Sequence, residues 1–206
     1  MKLRRIISIV TLLASLIALV LVLKKPAPVA LPQAPAAIAE RAQSFDQKMA
    51  EFQQATQQPS GLSNASDGSL SPKAEVRINS DEVGAVLAQS LGNSGAALTP
   101  NSNVGDAAPS IKDQRVSFES DLVRGQFLTE IAGKDVWITI SGHLGEKDGY
   151  ATFDPTEFKV GDLNVPVALV NPALQKKLAE QRDRLKLPDN VGNVKVQNSQ
   201  LVMQQK

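Results

Sequence analysis

The chain contains no cysteine, few aromatic residues and a single histidine, His143. Without cysteine it can form neither a disulfide nor a thiolate metal site. Exported bacterial proteins and many cytosolic proteins both lack cysteine, so this absence assigns no compartment. Two classes of site are therefore excluded before any fold is considered, while the location of the protein stays open.

The chain also lacks a strong excess of charge, with 22 basic and 21 acidic residues. The first 25 residues hold five of the cations and no acid, so residues 26–206 carry 17 cations against 21 acids. Binding to nucleic acid or to an anionic bilayer surface requires a basic patch. The mildly acidic remainder therefore excludes nucleic acid as a predicted partner.

The longest feature that is present is an uncharged apolar run from Ile6 to Leu23. As a helix it would be ~27 Å long, which is about the depth of the hydrocarbon core of a bilayer. Lys24 and Lys25 close the run, and three cations precede it. The alternative is a cleaved signal peptide, whose apolar region is shorter and ends at a small-residue cleavage site. We predict a signal anchor over residues 1–25, with the transmembrane helix at 6–23.

The charges that flank this run also predict an orientation. More cations lie before the run than close behind it, which favours an N-terminus in the cytoplasm. The rest of the chain then lies on the extracytoplasmic side of a bacterial inner membrane, in the periplasm or cell envelope. The membrane is thus the first predicted partner.

Residues 26–72 are predicted to form a tether. Four prolines in residues 26–35 indicate an extended segment, and residues 59–72 are polar linker. Between them, a helix at about 36–57 has an apolar stripe with helical spacing. This stripe either packs on the protein's own domain or binds a partner helix, and the partner-helix residues would be Ile38, Phe45, Met49 and Phe52.

Residues 73–206 are predicted to be an α+β domain. A short strand leads into a helix with Ser80 as its N-cap and Gly92 as its end, and a flexible insertion at 92–110 follows. From Ile111 the pattern alternates, and Gly-containing turns separate the strands of an antiparallel meander. A shift of parity at Asp154-Pro155 indicates a bulge or an edge.

A helix begins at Asn171-Pro172, and a hairpin turning at Asn198-Ser199 ends the chain. The predicted fold is therefore a curved antiparallel sheet packed on one or two amphipathic helices. On one strand of the meander, Ile138 and Ile140 alternate with Trp137 and polar residues. Trp137 is either a binding platform or part of the core.

No residue cluster in the sequence indicates catalysis. His143 lies on the polar parity of its strand, and no nucleophile motif accompanies it. The acidic residues near strand ends match no calcium-loop spacing, and Gly142-His143-Leu144-Gly145 lacks the lysine of a phosphate loop. We therefore predict a protein that is not an enzyme and that needs no cofactor and no metal.

Two segments carry a resemblance to known proteins. They are VRINSDEVGAVLAQSL at 76–91, and FKVGDLNVPVALVNPALQKKL at 158–178 with its continuation LKLPDNVGNVKVQNSQLVM at 185–203. The chain resembles small single-pass membrane proteins of the YpmS type and, more distantly, tubular lipid-binding (TULIP) domains. The resemblance covers residues 73–206, apart from the insertion at 92–110. It implies a curved sheet around a helix, enclosing an apolar groove for an acyl chain.

Two functions follow from this interpretation. The first is a non-catalytic, membrane-anchored module that holds a lipid or another apolar ligand in the cell envelope. The residues predicted to line its groove are Phe118, Ile138, Ile140, Phe153, Leu174 and Leu178. The second is a structural or assembly partner of other envelope proteins, in which these residues form an ordinary packed core.

Overall fold

The computed structural model describes residues 2–57, 73–94, 111–131 and 133–206, with backbone alone at 2–10 and 91–94. The described helices are α1 (Lys2–Leu23), α2 (Pro35–Gln57), α3 (Ser80–Ser94), α4 (Val167–Glu180) and a short 3-10 helix (Arg182–Leu185). The described strands are β1 (Glu75–Asn79), β2 (Ile111–Glu119), β3 (Leu122–Ile131), β4 (Lys134–Lys147), β5 (Tyr150–Val160), β6 (Leu163–Asn164), β7 (Val191–Gln197) and β8 (Gln200–Gln205).

The strands form two antiparallel sheets. The meander gives a five-stranded sheet in the order β2-β3-β4-β5-β6, and the other sheet has the order β1-β8-β7. The predicted α+β class and antiparallel meander are confirmed. The prediction of one sheet is wrong for the described residues, because β1 pairs with the terminal hairpin, with Ile78 opposite Leu201. Pairing between the two ends of the domain cannot be read from local alternation.

The main core lies on the three-stranded sheet. Its fully buried residues are Phe52, Val76, Ile78, Val191 and Val194. Phe45 and Met49 of α2 pack against this cluster, beside Phe52 of the same helix. The predicted apolar stripe of α2 therefore covers its own domain, which is the first of the two alternatives for this helix.

A second core cluster connects the two sheets. Val116 and Phe118 of β2 are buried against Val196 of β7. Val83 and Leu87 on one face of α3 pack on these residues. Leu144 of β4 contacts both core clusters, so the sheets and α3 share continuous apolar packing.

The start of α3 differs from the prediction. Asn79, not Ser80, caps this helix: its Oδ1 accepts a bond from the Glu82 N–H at 2.8 Å. Glu82 Oε2 in turn accepts a bond from the Asn79 N–H at 2.9 Å, which completes a reciprocal capping box. The helix also continues past Gly92 to Ser94.

The predicted bulge in the meander is present. Gly142 pairs with Pro155 while Ser141 pairs with Glu157, so one residue of β5 is left without a cross-strand partner. Helix α4 begins earlier than predicted, at Val167, so Pro172 lies inside it. The Asn171 side chain accepts a bond from Gln175 instead of capping the helix. Pro172 is the sixth residue of this helix, so it removes the backbone bond that an N–H at this position would donate to the Ala168 carbonyl.

Several predictions concern residues outside the described ranges: the linker at 59–72 and most of the insertion at 92–110. The apolar run does form a helix, α1. Among the described residues, however, no helix combines the length and hydropathy of a candidate membrane span. The predicted transmembrane helix at 6–23 is therefore not supported by the structure.

Candidate functional site

One face of the five-stranded sheet carries a continuous set of half-buried apolar side chains. Strand register places Ile138 opposite Phe127 and Ile140 opposite Phe158. Phe153 lies on the same face, opposite Leu144. We call these five residues the apolar sheet face: Phe127, Ile138, Ile140, Phe153 and Phe158. Each of them is only partly buried, in contrast to the core residues of the two clusters.

Two glycines make room for rings on this face. A Cβ built at Gly125 would lie 3.1 Å from the Phe127 ring and 3.7 Å from Ile140 Cγ2. A Cβ built at Gly142 would lie 2.7 Å from Phe153 Cζ. Atoms of the Phe127 and Phe153 rings therefore occupy the space above Gly125 and Gly142 that a side chain would fill.

The structure brings together part of the predicted groove. Ile138, Ile140 and Phe153 belong to the apolar sheet face, and Phe118 shares that face but is buried in the second core cluster. Leu174 and Leu178 lie on α4, where no residue is fully buried. Phe127 and Phe158 were missed because strand alternation alone does not tell which strands neighbour one another.

Helix α4 runs beside the part of the β5 edge that does not pair with β6. Gln175 Nε2 donates to the Phe153 carbonyl at 3.2 Å. Beyond the helix, Lys186 forms an isolated bridge with Tyr150, and Arg182 stacks on the Tyr150 ring at 4.1 Å. These contacts cover an edge that would otherwise offer unpaired backbone groups to another chain.

The opposite face of the sheet is polar, and it is unexpectedly well buried. Gln126 and Ser141 are each 2% exposed, and Thr139 is 4% exposed. Ser141 Oγ accepts a bond from Arg124 and donates to Glu157. A hydrogen bond from Lys159 holds the pKa of Glu157 below its ordinary value, against the opposing effect of burial.

The predicted tether covers this polar face. Gln126 Nε2 donates to the Ala27 carbonyl at 2.9 Å, and Gln126 Oε1 accepts a bond from the Val29 N–H at 3.3 Å. One side-chain amide thus holds two backbone groups of an extended chain. Residues 26–33 are therefore part of the fold and do not act as a free spacer there. Nothing in the sequence singled out Gln126, which has the alternation of a solvent-facing residue.

Trp137 lies on this polar face and is 7% exposed. The Arg115 guanidinium lies over its ring, 4.9 Å from the centroid. This burial favours a core role for Trp137 over the alternative of an open binding platform.

The end of α1 contacts the same sheet. Lys24 Nζ lies 2.7 Å from Asp162 Oδ2, and the Asp162 N–H donates to the Leu21 carbonyl at 2.8 Å. A Cβ at Gly161 would collide with the Val22 carbonyl oxygen, so only glycine permits this approach. Helix α1 is thereby fixed to the end of the sheet where Trp137 and Gly161 are joined by a backbone hydrogen bond.

A buried carboxylate joins α2 to α3. Glu82 accepts bonds from Ser44 Oγ at 2.6 Å and from Lys48 Nζ at 2.8–2.9 Å, in addition to its capping bond from Asn79. Burial alone would raise the pKa of Glu82. The bonds from Lys48, Ser44 and Asn79 outweigh it, so the pKa lies below its ordinary value.

The described residues contain no group of three or more His, Cys, Asp or Glu placed to bind a metal ion. His143 Nδ1 lies 3.4 Å from Asp121 Oδ2, and both side chains are about half exposed or more. Comparison of the chain with protein-family models, with curated proteins and with solved structures finds no match.

Proposed function

We propose that the protein is a membrane-anchored, non-catalytic module on the extracytoplasmic side of a bacterial inner membrane. It holds a lipid or another apolar ligand on the apolar sheet face. The observation that carries this proposal is the set of five half-buried apolar side chains, two of whose rings occupy the space above Gly125 and Gly142. The part of these side chains that the core clusters leave uncovered is apolar area available to a ligand, a partner or a membrane.

The exposed side chains of α1 support the anchor. Seven of its large apolar residues are at least 46% exposed: Leu12, Leu13, Leu16, Ile17, Leu19, Val20 and Leu23. At 100° per residue these positions lie within an arc of about 160°, so they form one broad apolar face of the helix. An apolar face that stays exposed on the protein fits contact with lipid better than contact with water.

The position of α1 supports an apolar ligand. The Gly161 N–H donates a hydrogen bond to the Trp137 carbonyl, and these two residues directly adjoin the Ile138–Val160 pair at the end of the β4–β5 ladder. The apolar sheet face therefore begins at the end of the sheet that α1 contacts. In the anchored protein this end lies next to the bilayer, which is a source of acyl chains.

The test is the lipid content of the full-length protein, purified in a mild detergent and measured by native mass spectrometry. Ile140→Glu places a charge on the apolar sheet face, and burial of an unpaired charge is costly. Leu169→Glu is the matched control, since Leu169 is 73% exposed on α4. Lipid around α1 is common to all variants, so the difference between them isolates the sheet face.

We expect wild type and Leu169→Glu to retain one tightly bound lipid that Ile140→Glu loses while keeping its circular dichroism spectrum. Equal lipid content in all three proteins would contradict lipid binding at this face. A lipid-free protein that self-associates or copurifies with envelope proteins would favour the assembly function instead.

A further inference from the structure

Strand β1 is the outer strand of the three-stranded sheet, and no described strand pairs with its outer edge. It pairs with β8 alone, and its register runs without a shift from Glu75 opposite Gln204 to Asn79 opposite Gln200. The strand contains neither a proline nor a bulge, two devices that protect sheet edges from other chains. The part of the chain that the structure describes therefore leaves a regular strand edge without a pairing partner.

Backbone groups of two residues point outward at this edge. The Gln205 N–H donates to the Ala74 carbonyl at 2.8 Å, so the backbone of Ala74 points towards β8. Backbone direction alternates along a strand, so the backbone groups of Glu75 and Arg77 point away from β8. The Asn79 N–H follows the same alternation, because it donates to the capping carboxylate of α3 and not to β8. Two N–H groups and two carbonyl oxygens thus face outward, and no described residue bonds to them.

A groove of about 350 Å³ lies beside these groups, between β1 and α2. We call it the β1 groove, and it is lined by residues 74–77 of β1 and by Lys48, Glu51, Phe52 and Ala55 of α2. Its volume is at the lower end of the ~300–1,000 Å³ that is typical of ligand pockets. Val76 shares the main core with Phe52, so its side chain points to the α2 side of the sheet. A residue directly opposite Val76 on an added strand would point to the same side, into the groove.

The other side of β1 presents a fixed pattern of charge. The side chains of Glu75 and Arg77 are 29% and 49% exposed, and Arg77 Nε lies 2.7 Å from Glu75 Oε1. Hydrogen bonds from Gln204 and Arg77 hold the pKa of Glu75 below its ordinary value, so this carboxylate is ionised at neutral pH. Opposite charges on directly facing residues stabilise a strand pair, and like charges destabilise it. An antiparallel neighbour therefore matches this edge when an acidic residue faces Arg77 and a basic residue faces Glu75.

This chain itself provides no good occupant for the edge. Its linker at 58–72 has Asp67 as its single charged residue and no cation to face Glu75. A second copy of β1 would match the charges, but each α2 lines the groove that the other copy's β1 would fill. Both helices would lie on the same side of the joined sheet, over strands ~4.8 Å apart, whereas packed helices need about 8–10 Å between their axes.

We propose that the outer edge of β1 and the β1 groove bind an extended segment of another protein, which adds as an antiparallel fourth strand. The segment carries an acidic, an apolar and a basic residue in that order along its chain. The acidic residue lies opposite Arg77, the apolar residue enters the groove opposite Val76, and the basic residue lies opposite Glu75. Main-chain bonds to the outward groups supply affinity, and the groove and the charges supply specificity. This site does not rest on the proposed lipid-binding function.

The first experiment titrates the synthetic peptide STEVRTS, with acetylated and amidated ends, into the full-length ¹⁵N-labelled protein in detergent micelles. The matched control is STRVETS, which has the same composition and net charge but places like charges opposite Glu75 and Arg77. We expect saturable binding of STEVRTS and at least about fivefold weaker binding of STRVETS, because two cross-strand charge pairs change sign. Equal binding of the two peptides, or no saturable binding of either, would overturn the proposal.

Hydrogen exchange of backbone amides tests whether the peptide adds as a strand. In the free protein the amides of Glu75 and Arg77 should exchange much faster than that of Val76, which points to β8. Bound STEVRTS should slow exchange at Glu75 and Arg77 at least about tenfold and leave Val76 unchanged. Slow exchange at Glu75 and Arg77 before any peptide is added would mean that the linker or a second copy already covers the edge, and would refute the proposal.

Methylated peptides test the register. In the proposed register the N–H of the peptide glutamate donates to the Arg77 carbonyl, whereas the N–H of the peptide valine points away from β1. N-methylation at the glutamate should therefore abolish binding, and N-methylation at the valine should leave it unchanged. The reverse result would contradict the antiparallel register centred on Val76.

Exchange of the two charges on β1 tests specificity from the side of the protein. The double variant Glu75→Arg/Arg77→Glu should bind STRVETS more tightly than STEVRTS. The matched control Lys177→Glu/Glu180→Lys exchanges an exposed pair on α4 and should keep the wild-type preference. An unreversed preference in a double variant with an unchanged circular dichroism spectrum would contradict the proposal. If the double variant does not fold, the peptide pairs still decide.

Filling the β1 groove tests the role of α2. Ala55→Phe should weaken the binding of STEVRTS, whereas Gln54→Phe, at an exposed position of the same helix outside the groove, should not. Equal effects of the two substitutions would refute binding in the groove. The lipid content of both variants should equal that of wild type, because the apolar sheet face belongs to the other sheet.

Discussion

Replacement of Lys48 by methionine tests the joint between α2 and α3. The Glu82 side chain is 4% exposed, and Lys48 is the one cation bonded to it. Removal of one partner from a fully buried ion pair costs ~3–5 kcal/mol, because the remaining charge stays desolvated. The Lys48 side chain is 36% exposed, so water reaches part of this pair. We therefore expect a loss of ~2–3 kcal/mol in the free energy of unfolding at pH 7, below the full value.

The pH dependence gives this prediction a second, independent observable. In the wild type the pKa of Glu82 is lowered from 4.5, so its contribution is fully present above the unfolded-state pKa. That contribution is lost as the pH falls through the lower folded-state pKa. Lys48→Met removes the hydrogen bond that offsets the effect of burial on the pKa of Glu82. The folded-state pKa of Glu82 therefore rises in this variant. The difference in stability between the two proteins should therefore narrow as the pH is lowered below 4.5.

The measurement is urea unfolding of the full-length protein in detergent, followed by circular dichroism and by the fluorescence of Trp137, the only tryptophan. The matched control is Lys177→Met. Its partner Glu180 lies 2.7 Å away, and both side chains are 42% exposed. Exposed pairs contribute little, so we expect no measurable change in the control. A Lys48→Met variant as stable as the control, or a deficit that does not vary with pH, would refute the buried-carboxylate argument.

Four further substitutions test separate parts of the fold by the same unfolding assay. Ile78→Ala should cost ~3–5 kcal/mol, since Ile78 is 0% exposed in the main core; a smaller loss than ~1 kcal/mol would mean that the cluster is loosely packed. Gly84→Ala should stabilise by ~0.5–1 kcal/mol, because the new Cβ meets Gln33 Nε2 at an ordinary 3.5 Å and alanine favours the helix. Gly142→Ala should cost ~2–3 kcal/mol, since its Cβ would clash with the Phe153 ring and the Asp154 carbonyl; an unchanged stability would show that the bulge yields freely. His143→Ala should leave both stability and lipid content unchanged, and a loss of lipid would reopen a functional role for this residue.

The sequence also predicted elements that the structure confirms, and these share a local cause. Helix α2 was expected at about 36–57 and spans Pro35–Gln57, because an apolar stripe at helical spacing is a property of neighbouring residues. The bulge beside Pro155 and the turn at Asn198-Ser199 followed from residues that restrict their own backbone.

The candidate site was predicted only in part, and for the same reason. Ile138, Ile140 and Phe153 were expected in the groove because alternation assigns each to one parity of its strand. Phe127 and Phe158 could not be added, since they join the set through pairing with β4. Leu178 was expected on a buried helix face, but α4 covers a sheet edge and buries no residue fully.

The sequence by itself determined which local elements form: an apolar N-terminal run, an amphipathic α2, an alternating meander and a closing hairpin. Each depends on spacing within a few residues, where side-chain periodicity and backbone preferences act. The tertiary structure alone decided that β1 joins the hairpin, that the tether is bound by Gln126, and that Gln33 and Arg115 meet at one cavity. These pairings join residues about 80 to 130 positions apart, and their energies depend on burial that arises only when the whole chain is packed.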